Sequence, residues 1–292
     1  MSTAKKMPIN DNSFYHTPDG AAIYFEDRGR GLPLIMVSGW TQSIRVFDQN
    51  VEELSQRYRV IAMDYRGSGN SAKISDGHTV DQYCRDIHGL KEHLRLDKIF
   101  LLGWSMSVVF VLRYVQMFGE EDLLGLILVD GSCHPFCGEP WNATHAVAGY
   151  NIDAMVSRLT KFCADHVHQC EQSVPNWFKH KEEENTRRGI DMMTREMQKT
   201  PAYIAASIYS SWVYEAQTGT LALLRRPVLA FMQENNRIRG EYMVYETAKN
   251  SALAELVVVN AGHALFWERP KVFNEALLSF LDRAADLDGS KN

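Results

Sequence analysis

The sequence lacks several features that would settle its class at once. No apolar run approaches the ~20 residues that a membrane-spanning helix requires, so no span is expected. Basic residues are not in excess. The 31 Lys and Arg stand against 36 Asp and Glu, a formal net charge of −5, which argues against nucleic acid or an anionic membrane as partner. Cysteine is scarce and odd in number. Cys84, Cys133, Cys137, Cys163 and Cys170 are scattered through 292 residues, a pattern of free thiols in a reducing compartment rather than a disulfide framework. Lys5 and Lys6 near the start are followed by no apolar stretch, so a secretory signal is not expected and the cytoplasm is the expected location. There is no internal repeat and no low-complexity linker.

What is present suits one α/β domain with an insertion. Hydrophobic residues make up 45 % of the chain, enough for a sizeable core. Short apolar runs at Ala21–Glu26, Leu34–Val37, Arg59–Met63, Lys98–Leu102 and Leu124–Val129 predict strands. Between them, Val51–Tyr58, Val80–Leu94 and Met106–Phe118 carry helical spacing. Strands that are apolar throughout, separated by helices, imply a mostly parallel sheet covered on both faces. From about His134 to Leu223 the strand runs vanish and Met and aromatic residues become common, which predicts a helical cap. The sheet resumes with Pro227–Phe231 and Leu256–Val259, and Val272–Leu281 closes the chain as a helix. The expected division is a core of 1–133 and 224–292 with a cap of 134–223.

The strongest chemical signal is Gly103-Trp104-Ser105-Met106-Ser107, where a buried strand runs directly into a helix with Ser105 at the turn. This is the nucleophile-elbow pattern G-x-S-x-G, with Ser107 in place of its last glycine. Such a turn lifts the hydroxyl clear of the sheet. It also aims the N–H of Met106, at a helix N-terminus, at a developing oxyanion. A second motif, Val37-Ser38-Gly39-Trp40, follows an apolar strand and offers the N–H of Trp40 as the other oxyanion donor. The segment Asp64–Ser71, with Gly67 and Gly69, reads as a structural loop tied down by Asp64 and Arg66. His263, in Asn260-Ala261-Gly262-His263 beyond the last strand, is placed to take the proton of Ser105 and return it.

The acid departs from habit. In the chain order Ser…Asp/Glu…His, it is expected after Pro227–Phe231, but Asn236 stands where an Asp would fall. Two candidates remain: Asp130, ending the strand beside the elbow strand, which is favoured, and Glu234.

These residues, as they stand, resemble the α/β-hydrolase superfamily over about 20–130 and 225–283. Gly39-Trp40 and Gly103-Trp104-Ser105-Met106 resemble the haloperoxidase-like esterases and perhydrolases, which use no cofactor. The stretch Gly39–Phe47 is similar to the cofactor-independent dioxygenases of this fold that open 3-hydroxy-4-quinolone rings. Those enzymes carry their acid after the strand that follows the elbow, which corresponds to Asp130. A His-Asp pair deprotonates their substrate, and the serine is not the nucleophile. The His they carry two residues after Gly-Trp is Gln42 here.

The expected activity is therefore a serine hydrolase acting on a carboxylic ester or lactone, with no metal and no organic cofactor. The alternatives are a cofactor-free oxygenase and a non-catalytic ligand receptor. Trp104, Trp141, Trp177 and Trp212, with Tyr150, Tyr203, Tyr209 and Tyr214, are candidates to line a pocket for a small apolar or aromatic substrate. Cys163, His166 and Cys170 would share one helix face but lack zinc-site spacing. Lys181–Glu184 reads as a solvated helix face. Oligomeric state is not encoded in any motif, and a homodimer stays open.

Overall fold

The structure, a computed structural model, describes residues 13–144 and 151–289. Tyr150 and the first twelve residues lie outside that range. Eight strands form one sheet: β1 (Phe14–His16), β2 (Ala22–Arg28), β3 (Pro33–Val37), β4 (Arg59–Met63), β5 (Ile99–Trp104), β6 (Leu123–Val129), β7 (Val228–Gln233) and β8 (Ala254–Val259). Their order is β1-β2-β4-β3-β5-β6-β7-β8. Pairing is antiparallel at β1–β2 and β2–β4 and parallel everywhere else.

The apolar runs split by alternation between two cores, because successive side chains of a strand point to opposite faces. Ile35, Val37, Leu101, Leu126 and Leu128 belong to one core. Helices α2 (Val80–His93), through Tyr83 and Ile87, and α3 (Ser107–Phe118), through Val108 and Leu112, cover it. Leu34, Met36, Leu102, Ile127 and Val129 belong to the other, covered by α1 (Val51–Leu54) and the closing helix through Phe273, Leu277 and Leu281. The expected mostly parallel sheet with helices on both faces is what the chain builds.

Between β6 and β7 the chain forms α4 (Ile152–Ala164), α5 (His166–Ser173), α6 (Glu184–Gln198), α7 (Ala202–Val213) and α8 (Thr218–Leu223). Cys163 and Cys170 therefore sit on separate helices, because Asp165 ends one and caps the next with its own side chain. The expected single Cys163–His166–Cys170 face does not form. Residues 181–183 precede α6 rather than belonging to a helix. After β7 come α9 (Arg237–Thr247), α10 (Leu265–Glu268) and α11 (Pro270–Gly289). Helix α1 is shorter than its predicted span, and Tyr58 instead turns to donate to Asp282 of α11 at 2.7 Å. No helix among the described residues is long and apolar enough to cross a membrane.

Candidate active site

The parallel strands end along one edge, and each end contributes a group. Strand β5 runs through Trp104 into Ser105, whose φ of 59° lies in the left-handed region that non-glycine residues seldom occupy. The elbow is thus strained, held by Ser105 N–H donating to the Val129 carbonyl at 2.7 Å. The neighbouring strand β6 ends at Val129, and Asp130 also turns left-handed, at φ 42°. Close approach is enforced by glycine. A Cβ on Gly103 would stand 2.3 Å from the Ser107 carbonyl, and one on Gly131 2.2 Å from the Ser105 carbonyl.

His263 arrives from the loop after β8. The indole of Trp104 donates to its carbonyl at 3.1 Å, and Ala264 N–H donates to the Trp177 carbonyl at 3.1 Å. The elbow and the segment joining α5 to α6 therefore clamp the loop between them. The imidazole Nδ1 lies 2.6 Å from Asp130 Oδ2 and Nε2 lies 2.8 Å from Ser105 Oγ. With Asp130 ionised, Nδ1 carries the proton and Nε2 accepts from the hydroxyl.

Asp130 is buried and fully engaged. Its Oδ1 accepts from Asn236 Nδ2 at 2.8 Å and Gln233 N–H at 3.2 Å, and its Oδ2 also accepts from Gln233 Nε2 at 2.9 Å. Burial pushes this carboxyl up, but the hydrogen bond and charge of His263, with Arg239 and Asn236, outweigh burial and hold it below the ordinary value. Asn236, at the position where the acid was expected, is thus a donor to Asp130. Arg239 in turn donates to Asn236 Oδ1 at 3.2 Å. The other candidate acid, Glu234, is half-exposed and paired with Lys179 at 2.5 Å.

The second oxyanion candidate is held by several ties. Tyr65 donates to the Gly39 carbonyl at 3.1 Å and accepts from Thr41 N–H. A Cβ on Gly39 would come 3.0 Å from Ser105 Cβ, so the loop passes directly over Ser105. Among the described residues, neither Trp40 N–H nor Met106 N–H has a backbone acceptor. Ser107 adds a tie that a glycine could not supply, since its hydroxyl donates to the Ser38 carbonyl. Ser107→Ala removes this buried bond and leaves the carbonyl without that donor. The expected cost is about 1–2 kcal/mol of stability, read from the urea midpoint.

A cavity of about 1,060 Å³ opens over Ser105 and His263. Trp104, Trp177 and Trp212 line it, joined by Trp40, which packs 5.0 Å from Phe162 and 5.2 Å from Tyr209. Trp141 is not among its lining residues; it stacks on Tyr242 of α9 at 4.1 Å. Sequence reasoning missed Gln233, Tyr65 and three cations of the lining, Arg158, Lys161 and Arg239. Tyr65 lies in the Asp64–Ser71 segment, which reads as structural, and the three cations belong to no local motif. Only Gln233, ending a strand in register with Val259, had a position that pointed at the site.

Comparison with known proteins places this architecture. A family model described as the alpha/beta hydrolase fold matches residues 33–270. The AB hydrolase superfamily protein YisY of Bacillus subtilis is 25 % identical over 271 residues, covering 91 % of this chain and 98 % of that one. A non-heme haloperoxidase of Rhodococcus erythropolis is 36 % identical over 117 residues, covering 40 % of this chain and 43 % of that protein. An esterase structure from Exiguobacterium antarcticum superposes with a TM-score of 0.80 at 23 % identity, over 92 % of this chain and 99 % of that chain.

Proposed function

The chain belongs to the α/β-hydrolase family, and from that premise we propose that it is a serine hydrolase cleaving a carboxylic ester or lactone of a small, largely apolar molecule. Ser105 Oγ attacks the carbonyl carbon while His263 Nε2 takes its proton. Asp130 keeps the imidazole in the productive tautomer and stabilises the imidazolium that forms. The N–H groups of Met106 and Trp40 bind the oxyanion. Collapse expels the alcohol, which takes the proton back from His263, and an acyl-enzyme on Ser105 remains. Water, deprotonated by the same imidazole, then releases the acid. No step calls on a metal or organic cofactor.

The reading rests above all on the unbroken hydrogen-bond path from Asp130 through His263 to Ser105, at 2.6 and 2.8 Å. Similarity to a bifunctional esterase/perhydrolase of Acinetobacter calcoaceticus, 32 % identical over 116 residues, supports ester chemistry. The rings of Trp40, Trp177 and Trp212 around the cavity favour an apolar or aromatic group on the substrate.

The cofactor-free oxygenase would use His263 and Asp130 as base and leave Ser105 to bind substrate. Gln42, where such enzymes have His, is buried and donates to the Met193 carbonyl at 3.0 Å. It is not among the residues lining the cavity. That reading therefore draws on the His-Asp pair alone.

A fluorophosphonate probe tests the assignment. The Ser105 oxygen is expected to form a bond to phosphorus with loss of fluoride, read as an adduct on the peptide carrying Ser105. Absence of the adduct in folded protein that still binds an apolar ligand would point to a receptor instead.

A further inference from the structure

The cavity over Ser105 has a charge at odds with the rest of the molecule. The chain as a whole is acidic, at −5. Yet Arg158, Lys161 and Arg239 line the cavity, and Asp130 is the sole acid among its described lining residues. That carboxylate is already met by His263, Gln233 and Asn236. Arg239, buried beneath Asn236 and lowering the pKa of Asp130, belongs with this cluster. Arg158 and Lys161 do not. They lie on the cap helix α4, away from the catalytic strand ends.

Helix α4 buries Met155 and Phe162 and packs Leu159 on the core, yet it turns two cations to the cavity. Its cavity-lining positions are Ala154, Ser157, Arg158, Lys161 and Phe162, the i, i+3, i+4, i+7, i+8 stripe that a packed helix normally fills with apolar residues. Its apolar Ile152 and Val156 are instead 57 % and 53 % exposed. The guanidinium of Arg158 is positioned rather than loose. It donates to the Tyr209 hydroxyl at 2.9 Å and lies over that ring at 5.7 Å. Tyr209 in turn packs on Trp40 of the oxyanion loop. A fixed cation one aromatic ring away from the oxyanion loop, with a second cation one turn along the same stripe, is suited to an anion that enters with the scissile carbonyl.

We propose that Arg158 and Lys161 form an anion subsite, and that the substrate is an ester or lactone bearing a carboxylate away from the bond that is cut. This deepens, and rests on, the ester-hydrolase reading. The aromatic rings take the apolar linker, and the cations of α4 take the charge. The role of the two side chains is specificity, since they touch the substrate's anion and not the reacting atoms.

The test compares 4-nitrophenyl hydrogen glutarate with 4-nitrophenyl pentanoate, acyl esters of equal carbon count that differ in a terminal carboxylate. The wild-type protein is expected to favour the anion by about tenfold or more in kcat/KM at low salt, with the ratio falling as NaCl is raised. Lys161→Gln narrows the ratio, and Arg158→Gln with Lys161→Gln brings it towards one. Lys161 is exposed, so its substitution carries little risk to folding. Calorimetry on the Ser105→Ala protein supplies a second readout, with monomethyl glutarate binding more tightly than methyl pentanoate and the difference lost in the Gln variants. Turnover without charge preference, or a preference that survives both substitutions, overturns the subsite. Charge-selective binding without turnover of either ester overturns the hydrolase reading and leaves the subsite standing.

Discussion

Ser105→Ala is expected to lower kcat/KM for an activated ester by a factor on the order of 10³ or more, leaving only catalysis by the oxyanion donors and binding. The loss should fall on kcat, because the hydroxyl forms its bond in the transition state and contributes little to holding the substrate. The substitution is gentle on the fold. It removes one oxygen from a half-buried side chain whose hydroxyl partner is His263. A variant that keeps its melting temperature and loses turnover fits the nucleophile role. If ester turnover persists, Ser105 is not the nucleophile. If the variant still consumes oxygen with an aromatic substrate, the His-Asp pair is acting as the base of an oxygenase.

The second large effect concerns the acid. Asp130→Asn is expected to reduce kcat by about 10⁴, because an uncharged amide can hold neither the productive tautomer nor the imidazolium. Asn tolerates the left-handed backbone of this position better than most residues, so the loss is chemical rather than structural. Asn236 is 2.8 Å from the same carboxylate, which permits a stricter experiment. Exchanging the two residues, as Asp130→Asn with Asn236→Asp, returns a carboxylate to the cluster and should recover activity by roughly tenfold or more over the single variant. Near-native activity of Asp130→Asn alone would remove Asp130 from the mechanism and direct attention to Glu234. The pKa direction adds a stability signature. A carboxyl held below its ordinary value in the folded state contributes stability above that value. The contribution is lost as the pH falls through the folded pKa. The native protein should therefore lose this increment in acid, whereas Asp130→Asn should not.

Much of this was readable along the chain. The strand Arg59–Met63 and the helix beginning at Val80 fall where apolar periodicity puts them, the latter capped by Thr79 accepting from Gln82 N–H at 3.2 Å. Strand β1 was not readable. Three residues cannot show a period, and this strand exists through its pairing with β2, Phe14 opposite Tyr24. Helix α9 was missed because Arg239 and Gly240 lie on its buried side, where a packed helix usually shows apolar residues. Trp141 drew attention as a cap aromatic, but its place against Tyr242 depends on a helix about a hundred positions later.

By itself the sequence determined the layered architecture and singled out Ser105 and His263 as candidates. A strand that runs into a helix through a tight turn is a local event, written in consecutive residues such as Gly103, Trp104 and Ser105. Only the tertiary structure decided which carboxylate serves His263, what Ser107 does in place of glycine, and which charges line the cavity. Those outcomes depend on distances between residues 69 to 133 positions apart, as in Ser107 with Ser38 and His263 with Asp130. Such distances are fixed by strand order and loop path, which no local pattern of residues contains.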